Sequence, residues 1–320
     1  MSLLRIALVT LLVGAVFRPA DALSGDGAQP TYGTSTPSPR PASPAAKPLP
    51  IIRFNGVKLH YQSLGSGEPI VFVHGSLVDY REWNAVAEQL KGKYRTITYS
   101  RRYNYPNTNP IAGANHSAII EGEDLASLIH GLRLGPVNLV GASYGAYTAM
   151  FVALRHPELV RSLTIIEPPL LRWAPELTGG VALNDEFFVM WNAARDAFVR
   201  GNTEAALRVS LDWFLGPGSM GQLPTDDLAM LKSNLKEWRA LTTSSEAFPN
   251  ITRDEVNGLK IPVLMISGGK TYPILQLIDA EIERRLTNGR RLIVPDGTHD
   301  VCSEQPAVCA GAIRAFLASH

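Results

Sequence analysis

Apolar and polar positions alternate along this chain in two different rhythms, and the switching between them predicts its architecture. Two strand-like runs, IIRFNG and VKLHYQS, flank Asn55-Gly56, a strong short signal for a hairpin. IVFVHG, VNLVGAS, RSLTIIEP and IPVLMISGG are apolar without polar alternation, as strands are when helices cover both faces of a sheet. YRTITYS and RRLIVPDG read as further strands. Between the strands, residues 80–91, 117–132, 144–156 and 274–288 carry apolar positions at helical spacing, and a last helix starts near residue 304. Regular alternation stops over residues 169–257, where the signals are mainly helical (NDEFFVMWNAARDAFVRG, NTEAALRVSLDWF). The pattern predicts an α/β fold, a mostly parallel sheet with helices on both faces, interrupted by a helical insertion.

The N-terminal segment follows neither rhythm. Residues 1–22 combine a single early positive charge, the apolar run IALVTLLVGAVF and an Ala20-Asp21-Ala22 cleavage pattern, and so read as a signal peptide. A retained N-terminal anchor is the alternative. Residues 23–49 are rich in Pro, Ser, Thr, Gly and Ala and bury too little apolar surface to offset their ordering entropy, which predicts a disordered linker. The folded part is expected over 50–168 and 258–320, with 169–257 as a cap. A periplasmic or secreted location follows, with no stable membrane insertion after cleavage.

Composition removes whole classes of function. With 45% hydrophobic residues and a formal net charge of +1, the chain can bury a large core but has no basic patch for nucleic acid. The expected partner is a small-molecule substrate, with no cofactor and no metal; oligomeric state is left open. The two cysteines, Cys302 and Cys309, sit too far apart for a bond on an unbroken helix, but Pro306 lies between them. A disulfide and two free thiols are both compatible with that spacing.

Candidate chemistry centres on Gly141-Ala142-Ser143-Tyr144-Gly145, a G-x-S-x-G between a strand and a helix. A turn that sharp tolerates only small neighbours, and the helix start directs free N–H groups at any charge developing on a substrate. A serine hydroxyl needs a base. Of the seven histidines, His299 in PDGTHDV is the best placed, in the loop after the last strand. His74 follows a buried strand and reads better as a structural residue.

At this point the chain resembles the α/β-hydrolase family over roughly residues 50–320, on VFVHGS, GASYG, the helical insertion and GTHD. The resemblance implies an eight-stranded sheet, a helical lid and a catalytic triad in the order Ser, acid, His. It also implies an oxyanion hole formed by the backbone N–H groups of Ser76 and Tyr144. The acid departs from the commonest pattern, in which an aspartate follows the strand matching PVLMISG. Here Gly269-Lys270-Thr271-Tyr272-Pro273 follows, and no carboxylate occurs before Asp279. The family's other position, at the end of the strand after the nucleophile helix, holds Glu167. The expected triad is therefore Ser143–His299–Glu167, with Asp296 and Asp300 read as turn-shaping neighbours of the histidine.

A serine at the nucleophile position argues against the dehalogenase and epoxide hydrolase chemistry for which the family uses aspartate. Acyl transfer to water is the expected reaction, on a carboxylic ester or lactone of a hydrophobic or aromatic small molecule. Serine-dependent C–C bond hydrolysis, cofactor-free perhydrolysis and non-catalytic binding on the same fold are the alternatives. Phe187, Phe188, Met190, Trp191, Trp213, Phe214 and Trp238 in the insertion read as core more readily than as pocket wall, with some facing the cleft. Residues 100–110 (SRRYNYPNTNP) read as a surface loop held by arginine–backbone bonds, or as a site for a substrate carboxylate.

Overall fold

A computed structural model describes residues 48–320. The expected signal peptide, and the linker up to residue 47, lie outside the described residues. The opening hairpin is β1 (Ile51–Phe54) and β2 (Val57–Leu64), turning at Asn55 and Gly56, both at positive φ, as a two-residue hairpin turn demands. The remaining strands are β3 (Glu68–Val73), β4 (Tyr94–Tyr99), β5 (Val137–Ala142), β6 (Val160–Ile166), β7 (Val263–Gly268) and β8 (Gly289–Val294). They form one eight-stranded sheet in the order β1-β2-β4-β3-β5-β6-β7-β8. The β1–β2 and β2–β4 pairings are antiparallel, and every pairing from β4 onward is parallel.

The helices are α1 (Asn84–Leu90), α2 (Ala118–Gly131), α3 (Tyr144–Arg155), α4 (Gly180–Val199), α5 (Thr203–Leu215), α6 (Thr225–Ser233), α7 (Leu235–Thr242), α8 (Arg253–Asn257), α9 (Pro273–Arg285), α10 (Val301–Glu304) and α11 (Pro306–Leu317). All six residues of β5 and all six of β7 are buried, which explains why these strands read as unbroken apolar runs. Alternate side chains serve opposite faces. Leu139, Ile165 and Met265 join the apolar cluster that includes α2 and α3, while Val140, Ile166 and Leu264 join Val86 and Leu90 of α1 and Ile313 and Phe316 of α11. The stretch between β6 and β7 is helical, from α4 to α8.

Two helical segments are shorter or more broken than the periodicity suggests. Residues 80–83 form a 3-10 turn before α1. The expected C-terminal helix is two pieces, because Gln305 leaves helical geometry (φ −127°, ψ 60°) ahead of Pro306. That break brings Cys302 and Cys309 to a Cα separation of 5.4 Å, and they are disulfide-bonded. An intact helix would hold residues seven apart at roughly 10 Å.

Parallel pairing matters most for what comes next. From β3 through β5, β6, β7 and β8 the strands are consecutive neighbours pointing the same way. Their C-terminal ends therefore share one edge of the sheet, where open α/β sheets gather ligands. The segments leaving that edge contain HGS, Ser143, Glu167, Thr271 and His299 in turn.

Candidate active site

Ser143 occupies the turn between β5 and α3 at φ 51°, ψ −123°, a conformation that costs a non-glycine residue of order 1–3 kcal/mol and needs surrounding structure to hold it. Its N–H donates to Ile166 O at 2.7 Å, tying the turn to the end of β6. The flanking glycines are required by space. A Cβ on Gly141 would stand 2.6 Å from Gly145 O, and one on Gly145 would stand 2.2 Å from Val73 O and 2.4 Å from His74 O. The small residues read from the sequence are thus those that allow α3 to start against the end of β3.

Glu167 follows β6, also at positive φ (49°), and is 1% exposed. Three donors reach its carboxylate. Gly268 N–H donates to Oε1 at 2.7 Å, Thr271 Oγ1–H to Oε2 at 2.5 Å, and His299 Nδ1 lies 2.5 Å from Oε2. Thr271 was not singled out by the sequence reading. Its signal is indirect: it stands in the turn after β7 where many relatives carry the acid, and here it contributes a hydroxyl to a carboxylate from the neighbouring strand. Asp296 points away, 81% exposed in its side chain and paired with Lys270 at 2.8 Å. Asp300 makes no hydrogen bond to the His299 ring.

Burial alone would lower the pKa of His299, but the hydrogen bond and charge of Glu167 outweigh it and raise it to about 9, with Asp300 and Glu82 adding to the rise. The imidazole keeps 15% of its side chain exposed and lines the same cavity as Ser143, Ser76 and Tyr144. With Nδ1 committed to Glu167, Nε2 is the nitrogen left to exchange a proton.

The HGS loop after β3 is held by a second set of buried charges. His74 is fully buried; its Nε2 accepts the N–H of Arg101 at 2.9 Å and its Nδ1 lies 2.8 Å from Gly75 O. That pattern is a neutral ring with the proton on Nδ1, and burial, reinforced by the Arg101 charge, lowers its pKa to about 3. His74 is thus a structural residue. Gly75 N–H donates to Glu82 Oε2 at 2.9 Å and Leu77 N–H to Glu237 Oε2 at 3.1 Å. Between these two occupied amides the N–H of Ser76 has no acceptor among the described residues, and neither has the N–H of Tyr144 at the start of α3. Both residues line the same cavity as Ser143.

Arg101 makes the arginine–backbone bonds expected of residues 100–110 but corrects the rest of both expectations for that stretch. It is 1% exposed, so it belongs to no surface loop, and it is paired with the protein's own carboxylates, so it is not free for a substrate's. Its guanidinium contacts Glu121 of α2, reaches Glu237 of α7 at 2.7 Å and Gly75 O at 3.0 Å, and its Nε donates to His74 O at 3.1 Å. Arg102 likewise pairs with Asp124, at 2.6 Å through two bonds. Glu121 and Glu237 were missed in the sequence because nothing local marks a helical glutamate as buried.

Aromatic side chains close the cavity. Phe187, Trp191, Trp213, Phe214 and Trp238 of the insertion line it with Phe248, Tyr272, Leu171, Ile274 and Leu275. Five of the seven aromatic or Met positions expected to be mainly core therefore face the cleft; Met190 stays in the core and Phe188 lines a neighbouring chamber. Phe248, missed in the sequence, packs edge-on or tilted against Tyr144, Tyr147, Phe187, Phe188 and Trp191.

Comparison with known proteins agrees with the fold. A family model described as "Alpha/beta hydrolase family" matches residues 70–312. Among relatives, the (E)-2-((N-methylformamido)methylene)succinate hydrolase of Acinetobacter baylyi is 23% identical over 273 residues, covering 82% of this chain and 95% of that protein. Among solved structures, the enol-lactonase from Burkholderia xenovorans LB400 superposes with a TM-score of 0.65 at 19% identity, covering 84% of this chain and 100% of that one. A thermophilic esterase from Thermogutta terrifontis does so with a TM-score of 0.66 at 20% identity, covering 85% and 97%.

Proposed function

Because the chain belongs to the alpha/beta hydrolase family and is a hydrolase, we propose that it cleaves a carboxylic ester or lactone of a hydrophobic or aromatic small molecule through an acyl-enzyme on Ser143. His299 is the base, Glu167 its orienting acid, and the N–H groups of Ser76 and Tyr144 the oxyanion hole. The observation that carries this reading is the 2.5 Å contact of His299 Nδ1 with a fully enclosed Glu167, beside a cavity shared with Ser143.

In the first half-reaction, Ser143 Oγ bonds to the carbonyl carbon while its proton passes to His299 Nε2. The oxyanion is met by the two free N–H groups, which in such sites contribute roughly 10²–10³ in rate each. Collapse breaks the C–O bond, and His299 returns the proton to the leaving oxygen. Water then repeats the sequence on the acyl-enzyme, releasing the acid and restoring Ser143. Glu167 stays ionised throughout, holding the ring and stabilising the imidazolium.

The aromatic cavity supports an apolar acyl or aryl group, and residues 169–257 act as the lid over it. The same reading assigns export to the periplasm or beyond. The charge, apolar run and A-x-A pattern of residues 1–22 support it, and a Cys302–Cys309 disulfide suits an oxidising compartment.

A fluorophosphonate probe tests the reading directly, since it labels only an activated serine. Labelling at Ser143, together with ester or lactone turnover abolished by Ser143→Ala, is the expected result. Failure to label, or faster turnover of a vinylogous diketone or faster peracetate formation than of any ester, would overturn it.

A further inference from the structure

The cavity at Ser143 has a volume of about 50 Å³. Beside it lies a chamber of about 390 Å³, and Leu171, Trp191 and Phe248 belong to both linings. The two spaces differ in chemistry. Apart from the reacting groups, the inner lining is aromatic and aliphatic, whereas the outer one adds Arg172, Asn184, Ser244 and Ser245.

Two of those polar groups are only partly satisfied. Arg172 donates through Nε to Phe248 O at 2.7 Å, which fixes its position. Among the described residues it makes no ion pair, like Arg200 and Arg239 of the insertion and unlike Arg195, Arg208 and Arg253; of the three unpaired arginines it alone lines the chamber. Asn184 Oδ1 is buried without a hydrogen-bond partner, a state that normally costs ~1–3 kcal/mol and asks for an explanation. Ser244 and Ser245 already donate, to His116 O and Ala114 O. The outer chamber thus holds one uncompensated cation, anchored to the Phe248 wall, and one amide free to turn its NH₂ inward.

We propose that this outer chamber is a carboxylate subsite, so that the ester hydrolysed at Ser143 carries an anionic group that pairs with the Arg172 guanidinium and the Asn184 amide. The proposal rests on the esterase reading above and narrows its substrate class to anionic esters. Leu171, Trp191 and Phe248, common to both linings, form the wall past which such an ester would reach from Arg172 to Ser143. A guanidinium and an amide give a carboxylate charge-assisted bonds that a neutral ester cannot make.

The test compares matched esters: 4-carboxyphenyl acetate with 4-(methoxycarbonyl)phenyl acetate, and phenyl hydrogen succinate with methyl phenyl succinate. The first pair carries its anion on the leaving group and the second on the acyl group. In at least one pair the wild-type protein should favour the anionic member about tenfold or more in kcat/KM. Arg172→Gln and, independently, Asn184→Asp should each reduce that ratio about tenfold or more, while Arg195→Gln, which alters a paired surface cation, leaves it in place. The ratio should also fall as salt rises, since Arg172 is exposed and its field is screened. A ratio at or below one in both pairs, or one that survives both variants, overturns the subsite while the esterase reading stands. Absence of turnover on every ester overturns both.

Discussion

Two buried charge clusters lie on either side of the Ser143 turn, and they are built on opposite terms. Arg101, Glu121 and Glu237 are each no more than 1% exposed and spend their polar atoms on one another, on His116 and Thr148, and on the backbone of the HGS loop. Glu167 is as deeply buried, yet its partner His299 keeps one ring edge at the cavity. The guanidinium at the centre of the first cluster does not titrate at ordinary pH, and the His116 imidazole that joins it through Glu121 is buried away from the cavity at Ser143. The second pairs a carboxylate with a group whose charge changes. Under the proposed function the first cluster fixes the geometry of the HGS loop and the second moves protons.

The comparison breaks most visibly in activity. His299→Ala should lower kcat by about 10⁴–10⁶, measured on the best ester, and should also cost some stability near neutral pH, because the raised pKa makes the pair stabilising there. Glu167 would still accept from Gly268 N–H and Thr271 Oγ1–H, which softens the loss of its imidazolium partner. Arg101→Met should do the reverse in kind. It leaves Glu121 and Glu237 buried against each other and should cost about 3–5 kcal/mol in urea unfolding. Adding Glu121→Gln and Glu237→Gln should restore much of that loss. If Arg101→Met unfolded at the wild-type urea midpoint, the cluster would not be the framework described.

How far the sequence reveals these two clusters differs for a physical reason. Ser143 and His299 announce themselves through local chemistry: small residues where a turn is tight, and a histidine in a loop after a strand. Glu167 is visible because a charge ends an otherwise apolar run. The strands were legible for the same reason, since burial on both faces leaves a continuous apolar signature. Arg101 gave no such signal; its polarity suggested solvent, and its partners lie 20 and 136 residues away. Leu77 N–H and Glu237 are 160 apart. Pairings of that range are set by how α2 and α7 settle on the core, which local periodicity does not encode. Phe248 and Thr271 were missed likewise, each acquiring its role only from neighbours brought by other elements.

A smaller effect, in pH, sharpens the second cluster. The base must be neutral to act, and its pKa is raised to about 9 chiefly because Glu167 overcomes the opposing effect of burial. Activity, as kcat/KM, should therefore climb as pH rises toward about 9, with neutral pH on the ascending limb. Glu167→Gln removes the charge that favours imidazolium, so burial dominates and the limb moves to lower pH. Its plateau should fall about 10⁴-fold if the acid also holds the tautomer. A limb that stayed where it was would assign the raised pKa to Asp300 and Glu82 instead.

The smallest effect separates holding the acid from being it. Thr271 Oγ1–H shares Oε2 of Glu167 with the imidazole. A hydroxyl donated to a carboxylate draws off part of its charge, leaving less for His299. Thr271→Val keeps the shape and removes that donor, and Gly268 N–H still anchors the other oxygen. The imidazolium is then better stabilised, so the ascending limb should move up, opposite in sign to Glu167→Gln. The plateau should fall only about tenfold, the worth of one charged hydrogen bond of about 1.5 kcal/mol. Steady-state rates across pH on one ester, measured for both variants, decide it. If both limbs move the same way, Thr271 does not act through the charge on Glu167, and its hydroxyl merely packs the turn after β7.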